Sequence, residues 1–198
     1  MKIVAATKNL GKIREIEEIL SPFGVEVISQ ADAGIDVDVD ETGSTFLENA
    51  LIKARAVAML CDDVILADDS GLCVDALDGR PGVYSARYGG DIPHSEKMKM
   101  LLTELADKTD RKARFECVTA LVLPDGREYT FKGACYGRIM EEPKGENGFG
   151  FDPVFYSDEL KCGFAECSDE EKNSVSHRGK ALLALKEKFT EIFPEKED

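Results

Sequence analysis

The sequence predicts an α/β protein, with a mixed β-sheet flanked by helices in one continuous chain. Two observations carry this expectation. From the first residues onward, short apolar runs suited to buried strands alternate with segments whose apolar side chains recur at helical spacing. One hairpin signal, Pro124-Asp125-Gly126 between two long strand-like runs, then adds an antiparallel pair to the sheet.

The elements follow in order. Ile3-Val4-Ala5-Ala6 is a short buried strand, and Ile13, Ile16, Ile19 and Leu20 mark a helix that Pro22 and Gly24 end. Val25 to Ile28 begins a second strand. Ile35 to Asp40 alternates apolar and acidic residues as a half-exposed strand does, until Glu41 breaks the pattern. Thr45-x-x-Glu48 is a capping box, and the helix it opens carries an apolar stripe of Phe46, Ala50, Leu51, Ala54, Val57 and Ala58, with Glu48, Asn49 and Lys53 off the stripe. Val64 to Ala67 is a strand of the kind buried on both faces, and it is expected to stop at Asp68-Asp69-Ser70-Gly71. After the loop Gly79 to Gly82, a surface helix from about Ser95 points Met98, Leu101, Leu102 and Leu105 inward. Phe115 to Leu123 and Arg127 to Tyr136 form the hairpin, and Gly145 to Phe155 is a glycine-rich aromatic loop. Ser176 is expected to cap a last helix carrying Ala181, Leu182, Leu185 and Phe189, and the tail Pro194 to Asp198 to fray. No repeat or linker divides residues 1–198, so a single domain is expected.

Charge narrows the function. With 39 acidic against 25 basic residues, a net charge of −14 repels phosphate backbones and anionic lipid, so neither nucleic acid nor a membrane surface is an expected partner. No apolar run approaches the roughly 18 residues of a membrane span. Cys61, Cys73, Cys117, Cys135, Cys162 and Cys167 show no C-x-x-C spacing, so the expectation is a reduced cytoplasmic protein whose cysteines are small packing residues. The G-x-x-x-x-G-K-[ST], G-x-G-x-x-G and G-x-S-x-G motifs are absent, which removes P-loop NTPases, Rossmann dehydrogenases and serine hydrolases.

Several segments could carry chemistry. Thr7-Lys8-Asn9-Leu10-Gly11-Lys12 lies where the first strand becomes the first helix, so backbone N–H groups, the helix dipole and two ammonium groups converge where phosphate would sit; the alternative is a routine helix cap. Asp68 and Asp69 end a buried strand, where ligands of open α/β sheets gather, and alternation allows only one of the pair to face a given site. Their oxygens suit Mg²⁺, with Glu41 as a second carboxylate; a turn held by Asp side chains is the alternative. Asn147 to Pro153 combines rings and glycines against which a nucleobase could stack, though Phe also fills cores. His177, Arg178 and Lys180 occupy the opening of a helix, where the dipole disfavours cations, so something negative should lie near. His94 reads as a surface residue, with no ligand spacing for zinc.

In this order, ATKNLGK at 6–12, ETGSTFLENALIKA at 41–54, ADDSGLCVDAL at 67–77, GRPGVYSARY at 79–88, GFGFDPVF at 148–155 and EEKNSVSHRGKAL at 170–182 resemble the inosine/xanthosine triphosphate pyrophosphatase family over nearly the whole chain. Phe151 stands where relatives often carry Tyr or Trp. The resemblance implies an elongated two-lobed fold with the substrate in the cleft between lobes, a homodimer, and Mg²⁺-dependent cleavage of ITP, dITP or XTP to monophosphate and pyrophosphate. It implies that Thr7, Lys8, Asn9, Leu10, Gly11 and Lys12 hold the triphosphate and that Glu41 and Asp69 bind the metal. By the same resemblance Asp69 also activates water, Lys53 supports Glu41 or a phosphate, and Ser70 touches substrate. Phe149, Gly150, Phe151 and Asp152 would form the base pocket, with Lys172, His177 and Arg178 completing recognition. A binding-only regulator would have no need of Glu41 and Asp69 together, and a Mg²⁺ phosphatase would release orthophosphate instead.

Overall fold

The computed structural model describes residues 1–194. Seven strands form one mixed sheet in the order β2-β1-β3-β4-β5-β6-β7: β1 (Lys2–Ala5), β2 (Glu26–Ser29), β3 (Val64–Val74), β4 (Lys112–Val122), β5 (Glu128–Ile139), β6 (Phe155–Ser157) and β7 (Cys162–Gly163). β1 is parallel to both β2 and β3, which requires crossovers, and α1 (Leu10–Leu20) and α2 (Phe46–Ala58) supply them. β6 is antiparallel to β5 and β7. The expected hairpin joins β4 to β5, with the Leu123 N–H donating to the Arg127 carbonyl at 2.9 Å and Gly126 at φ 84° taking the left-handed conformation. The remaining helices are α3 (His94–Glu104), α4 (Asp169–Val175), α5 (His177–Glu187) and α6 (Phe189–Ile192). No helix among the described residues is long and apolar enough to cross a membrane.

Local chemistry accounts for the helix ends. Asn9 caps α1 by accepting the Lys12 N–H, and Gly24 at φ 71° closes the turn that follows. The Thr45–Glu48 capping box opens α2 with both reciprocal bonds present. The chain forms two compact units. The first comprises Met1–Asp69, Val118–Gly133 and the chain from Arg178 onward, around a core that includes Ile3, Ile16, Leu66, Leu121, Leu182 and Leu185. The second comprises Ser70–Cys117 and Ala134–His177, around Leu72, Leu101, Phe115, Phe155 and Phe164. Each large apolar side chain fully buried in these cores contributes about 1.5–3 kcal/mol.

Four expectations need correction. Residues 35–40 are not a strand: exposure alternates as expected, but the backbone bonds to the preceding turn, with Ile35 N–H on the Gln30 carbonyl and the Gln30 side-chain amide on the Val37 carbonyl. β3 does not stop at Ala67 but continues to Val74, because partners described below compensate both carboxylates inside the strand. Phe189 is not in the last long helix: Lys188 N–H bonds back to Leu185 in a tighter turn, and α6 starts there. The expected fraying of the tail bears on 195–198, which lie outside the described residues.

The fourth correction concerns the cysteines. Cys162 and Cys167 form a disulfide, brought together as Phe164–Glu166 folds into a single 3-10 turn between them. Cys61, Cys73, Cys117 and Cys135 are not in disulfides. Burial, with Glu116 beside it, pushes the Cys73 thiol up to about 11. Since the thiolate is the nucleophile, iodoacetamide at pH 8 is expected to label half-buried Cys61 well before Cys73. Peptide mass spectrometry over a labelling time course checks this, and equal rates at the two positions would contradict the burial described.

Candidate active site

The first unit gathers one charged cluster around the middle of β3. Consecutive β3 side chains face opposite ways, and Asp68 and Asp69 divide accordingly. Asp69 turns toward α2, where Asn49 Nδ2 donates to its Oδ2 at 3.1 Å and Lys53 Nζ to its Oδ1 at 3.3 Å. The same ammonium donates to Glu41 Oε1 at 2.6 Å, so the two carboxylates proposed from sequence do converge on one cationic group. Burial pushes the Asp69 carboxyl above the usual carboxylate range; Lys53 and Lys12 pull against that, and Glu41 adds to it. Burial opposes the charge on Lys53 as well, yet Asp69, Asp68 and Glu41 together raise its affinity for the proton.

Asp68 faces the other way and is 1% exposed. Arg178 donates to its Oδ2 from Nε at 3.2 Å and Nη2 at 2.8 Å, and Lys12 Nζ lies 3.2 Å from Oδ1. Nη1 of Arg178 goes to Glu15 of α1. Burial works against the Asp68 carboxylate, but Arg178, Lys12 and Lys53 outweigh it and hold the group far below its ordinary range. The sequence signal of cations at a helix opening, which demanded a negative partner, is thereby explained for Arg178. The cap expected as the bland alternative at Thr7–Lys12 is also present: Asn9 caps α1 and Thr7 Oγ1 accepts the Asn9 N–H at 3.2 Å. Lys8, half exposed, lies 3.2 Å from Asp38, and Leu10 is 80% exposed at the start of the helix.

The second unit holds the aromatic segment. Asp152 Oδ2 accepts both the Phe149 N–H at 2.8 Å and Lys172 Nζ at 2.6 Å, with both charged side chains buried. Lys172 also lies over the Phe149 ring, 4.9 Å from its centroid. Gly148 takes φ 73°, and a Cβ there would come within 2.2 Å of Asp152 Oδ2, so the close approach requires glycine. Phe149 and Gly150 are half-buried. Phe151 is not a stacking face: it is 4% exposed inside the second core, edge-on to Tyr88 with centroids 6.0 Å apart. His177 stacks on Phe115 at 4.8 Å and 14°. Ser70 is half-buried in β3 beside Asp69. His94, as expected, is exposed.

No group of three or more His, Cys, Asp or Glu suited to a metal occurs among the described residues. The pair Glu41 and Asp69 is nonetheless the donor set Mg²⁺ uses, since that ion takes one or two carboxylates and fills its remaining positions with water and phosphate oxygens. Their common approach to one ammonium shows that both can face a single cation. Sequence reasoning missed two members of the cluster. Glu15 lies in an acidic run whose members look alike until Arg178 selects one. Asn49 sits off the apolar stripe of α2 yet is fully buried.

The family model described as the Ham1 family matches residues 3–188. A protein of Bacillus anthracis called dITP/XTP pyrophosphatase is 47% identical, covering 97% of this chain and 98% of that protein. One of the same name from Desulforamulus reducens is 48% identical, covering 98% of each. The Ham1 protein of Staphylococcus aureus superposes with a TM-score of 0.86 at 41% identity over 97% of this chain and all of that one. A HAM1 protein from Coxiella burnetii gives 0.86 at 42% identity over 96% and 99%.

Proposed function

The chain belongs to the Ham1 family, and we propose that it is a nucleoside triphosphate pyrophosphatase acting on ITP, dITP and XTP. It cuts between the α and β phosphates, releasing the nucleoside monophosphate and pyrophosphate. The observation that carries this reading is the convergence of Glu41, Asp69 and Lys53 beside β3. Asp69 takes the proton of the attacking water. Lys12, Lys8 and the amino end of α1 neutralise charge on the phosphates as the bond to the leaving pyrophosphate breaks. Glu41 and Asp69 would hold Mg²⁺, which would supply further neutralisation of phosphate charge. Lys53 keeps the two carboxylates at one place, and Ser70 touches the substrate.

In the second unit the Phe149 ring stacks on the base, while Lys172 and His177 offer donors to a 6-oxo group. An adenine amino group there leaves donors unpaired, which is the costly mismatch that rejects ATP; guanine carries the same 6-oxo group, so rejection of GTP depends on its 2-amino position. Arg178, expected from the resemblance to complete recognition, is 1% exposed and bonded to Asp68 and Glu15, and in this reading it serves instead by fixing Asp68 and the start of α5. We further propose a homodimer, which light scattering tests.

Incubation with ITP, XTP, GTP and ATP, with and without Mg²⁺, and separate assay of the two inorganic products tests the reaction. Metal-dependent pyrophosphate from ITP and XTP, with little from ATP or GTP, is expected. Orthophosphate alone would overturn the bond named above, and no product from any of the four would favour a binding-only protein.

A further inference from the structure

Asn49 is completely buried, and its amide is used at both ends. Oδ1 accepts the Gly43 N–H at 2.8 Å, and Nδ2 donates to Asp69 Oδ2 at 3.1 Å. The assignment of O and N follows from chemistry: a backbone N–H needs an acceptor and a carboxylate needs a donor. Asn49 and Lys53 stand four residues apart on α2, on one helix face, and each donates to a different oxygen of the same Asp69 carboxylate. Two donors on two oxygens fix the rotation of that carboxylate. The other end of the amide holds the loop that delivers Glu41. Gly43 is two residues from Glu41, and a Cβ on Gly43 would come within 2.6 Å of Asn49 Oδ1, so loop and amide are packed as closely as glycine permits. Glu48, one residue earlier, takes the Ser44 and Thr45 N–H groups, which anchors the rest of the loop to the same helical turn.

We infer that Asn49 is a positioning residue for the metal site, a single buried amide that sets the separation and orientation of Glu41 and Asp69 without touching the ion. The inference rests on the reading of that pair as metal ligands. Partners that orient ligands in this way typically change metal affinity by about 10–100-fold when removed.

Binding of Mn²⁺ alone, followed by the electron paramagnetic resonance signal of the free ion, separates the two claims. The unmodified protein is expected to bind, with binding lost in Glu41→Gln. Asn49→Leu keeps the branching and heavy-atom count, is somewhat larger, and removes both hydrogen bonds; Asn49→Ser keeps a hydroxyl near Gly43 but is too short to reach Asp69. Each is expected to weaken Mn²⁺ binding by about 10–100-fold and to raise the half-saturating Mg²⁺ for hydrolysis, with turnover largely restored at saturating metal, a split that general loss of packing does not produce. Circular dichroism melts establish which variants are folded, and if Asn49→Leu unfolds, Asn49→Ser decides. Unchanged Mn²⁺ affinity in a folded Asn49 variant, with Glu41→Gln still defective, overturns the role of Asn49 alone. Binding that is absent in the unmodified protein, or indifferent to Glu41→Gln, overturns the metal reading and the inference together.

Discussion

Replacing Asp69 with Asn is expected to lower turnover at least about a hundredfold, the loss typical of removing an acid–base or metal group, while the protein remains folded. The second half of that expectation follows from the sign of the perturbation. A carboxyl whose proton affinity is higher in the folded chain than in the unfolded one costs stability when ionised at neutral pH. The neutral amide removes that cost and fits the same space in β3; its NH2 loses one of the two bonds donated by Asn49 and Lys53, a loss the relieved burial of charge offsets, and Lys53 keeps Glu41 at 2.6 Å. Steady-state rates for pyrophosphate release, alongside thermal melts, provide the check. A variant that turns over ITP at close to the original rate would remove Asp69 from its assigned role.

The largest effect on stability is expected at Arg178. This side chain is 1% exposed and bonded to Asp68 and Glu15, so Arg178→Met leaves two buried carboxylates with much of their compensation gone. Breaking a buried pair from one side costs about 3–5 kcal/mol, which at roughly 2–4 °C per kcal/mol for a chain of this size lowers the melting temperature by about 10 °C. Neutralising the acids as well, in the combination with Asp68→Asn and Glu15→Gln, is expected to recover part of the loss. The bidentate pair Arg55–Glu128 provides the contrast. It sits on the surface with the Arg55 side chain 56% exposed, and its removal is expected to cost less than about 1 kcal/mol. Melts showing Arg178→Met no worse than Arg55→Met would refute the network as a stabilising element.

These expectations locate the boundary between what the sequence declares and what only packing reveals. The parallel strands, the capping box of α2 and the turn at 124–126 were legible because each depends on neighbours in sequence: a period, a cap, a dihedral. The half-strand at 35–40 was misread for the same reason, since alternation records burial but cannot supply a partner strand. The end assigned to β3 at Ala67 was misread because two adjacent aspartates look like the edge of a strand until distant cations are known. Glu41 and Asp69 stood out as carboxylates following apolar runs, Lys12 through its place at a helix opening, and Lys53 through the resemblance alone. Asn49 and Glu15 did not, because a polar residue on a helix becomes distinctive only through what it meets: Asp69 twenty residues away, and Arg178 at a separation of 163. Phe151 shows the converse, a ring whose motif suggests a ligand and whose surroundings are core.

The pairing of Arg178 with Asp68, 110 residues earlier, also bears on the order in which the chain can be completed during synthesis. A ribosome delivers β1, α1, α2 and the first part of β3 long before the guanidinium that neutralises Glu15 and Asp68 has been made. Until then Lys12 alone of the two cations bonded to Asp68 is in place and Glu15 lacks its guanidinium, so full burial of the two carboxylates carries a desolvation cost. The ion network of the first unit is therefore complete only with α5, although most of that unit's residues precede it. Contacts of such long sequence separation also slow folding, because the intervening chain must close before they form. The ion network thus ties the charge balance at the middle of β3 to α5, more than a hundred residues later in the chain.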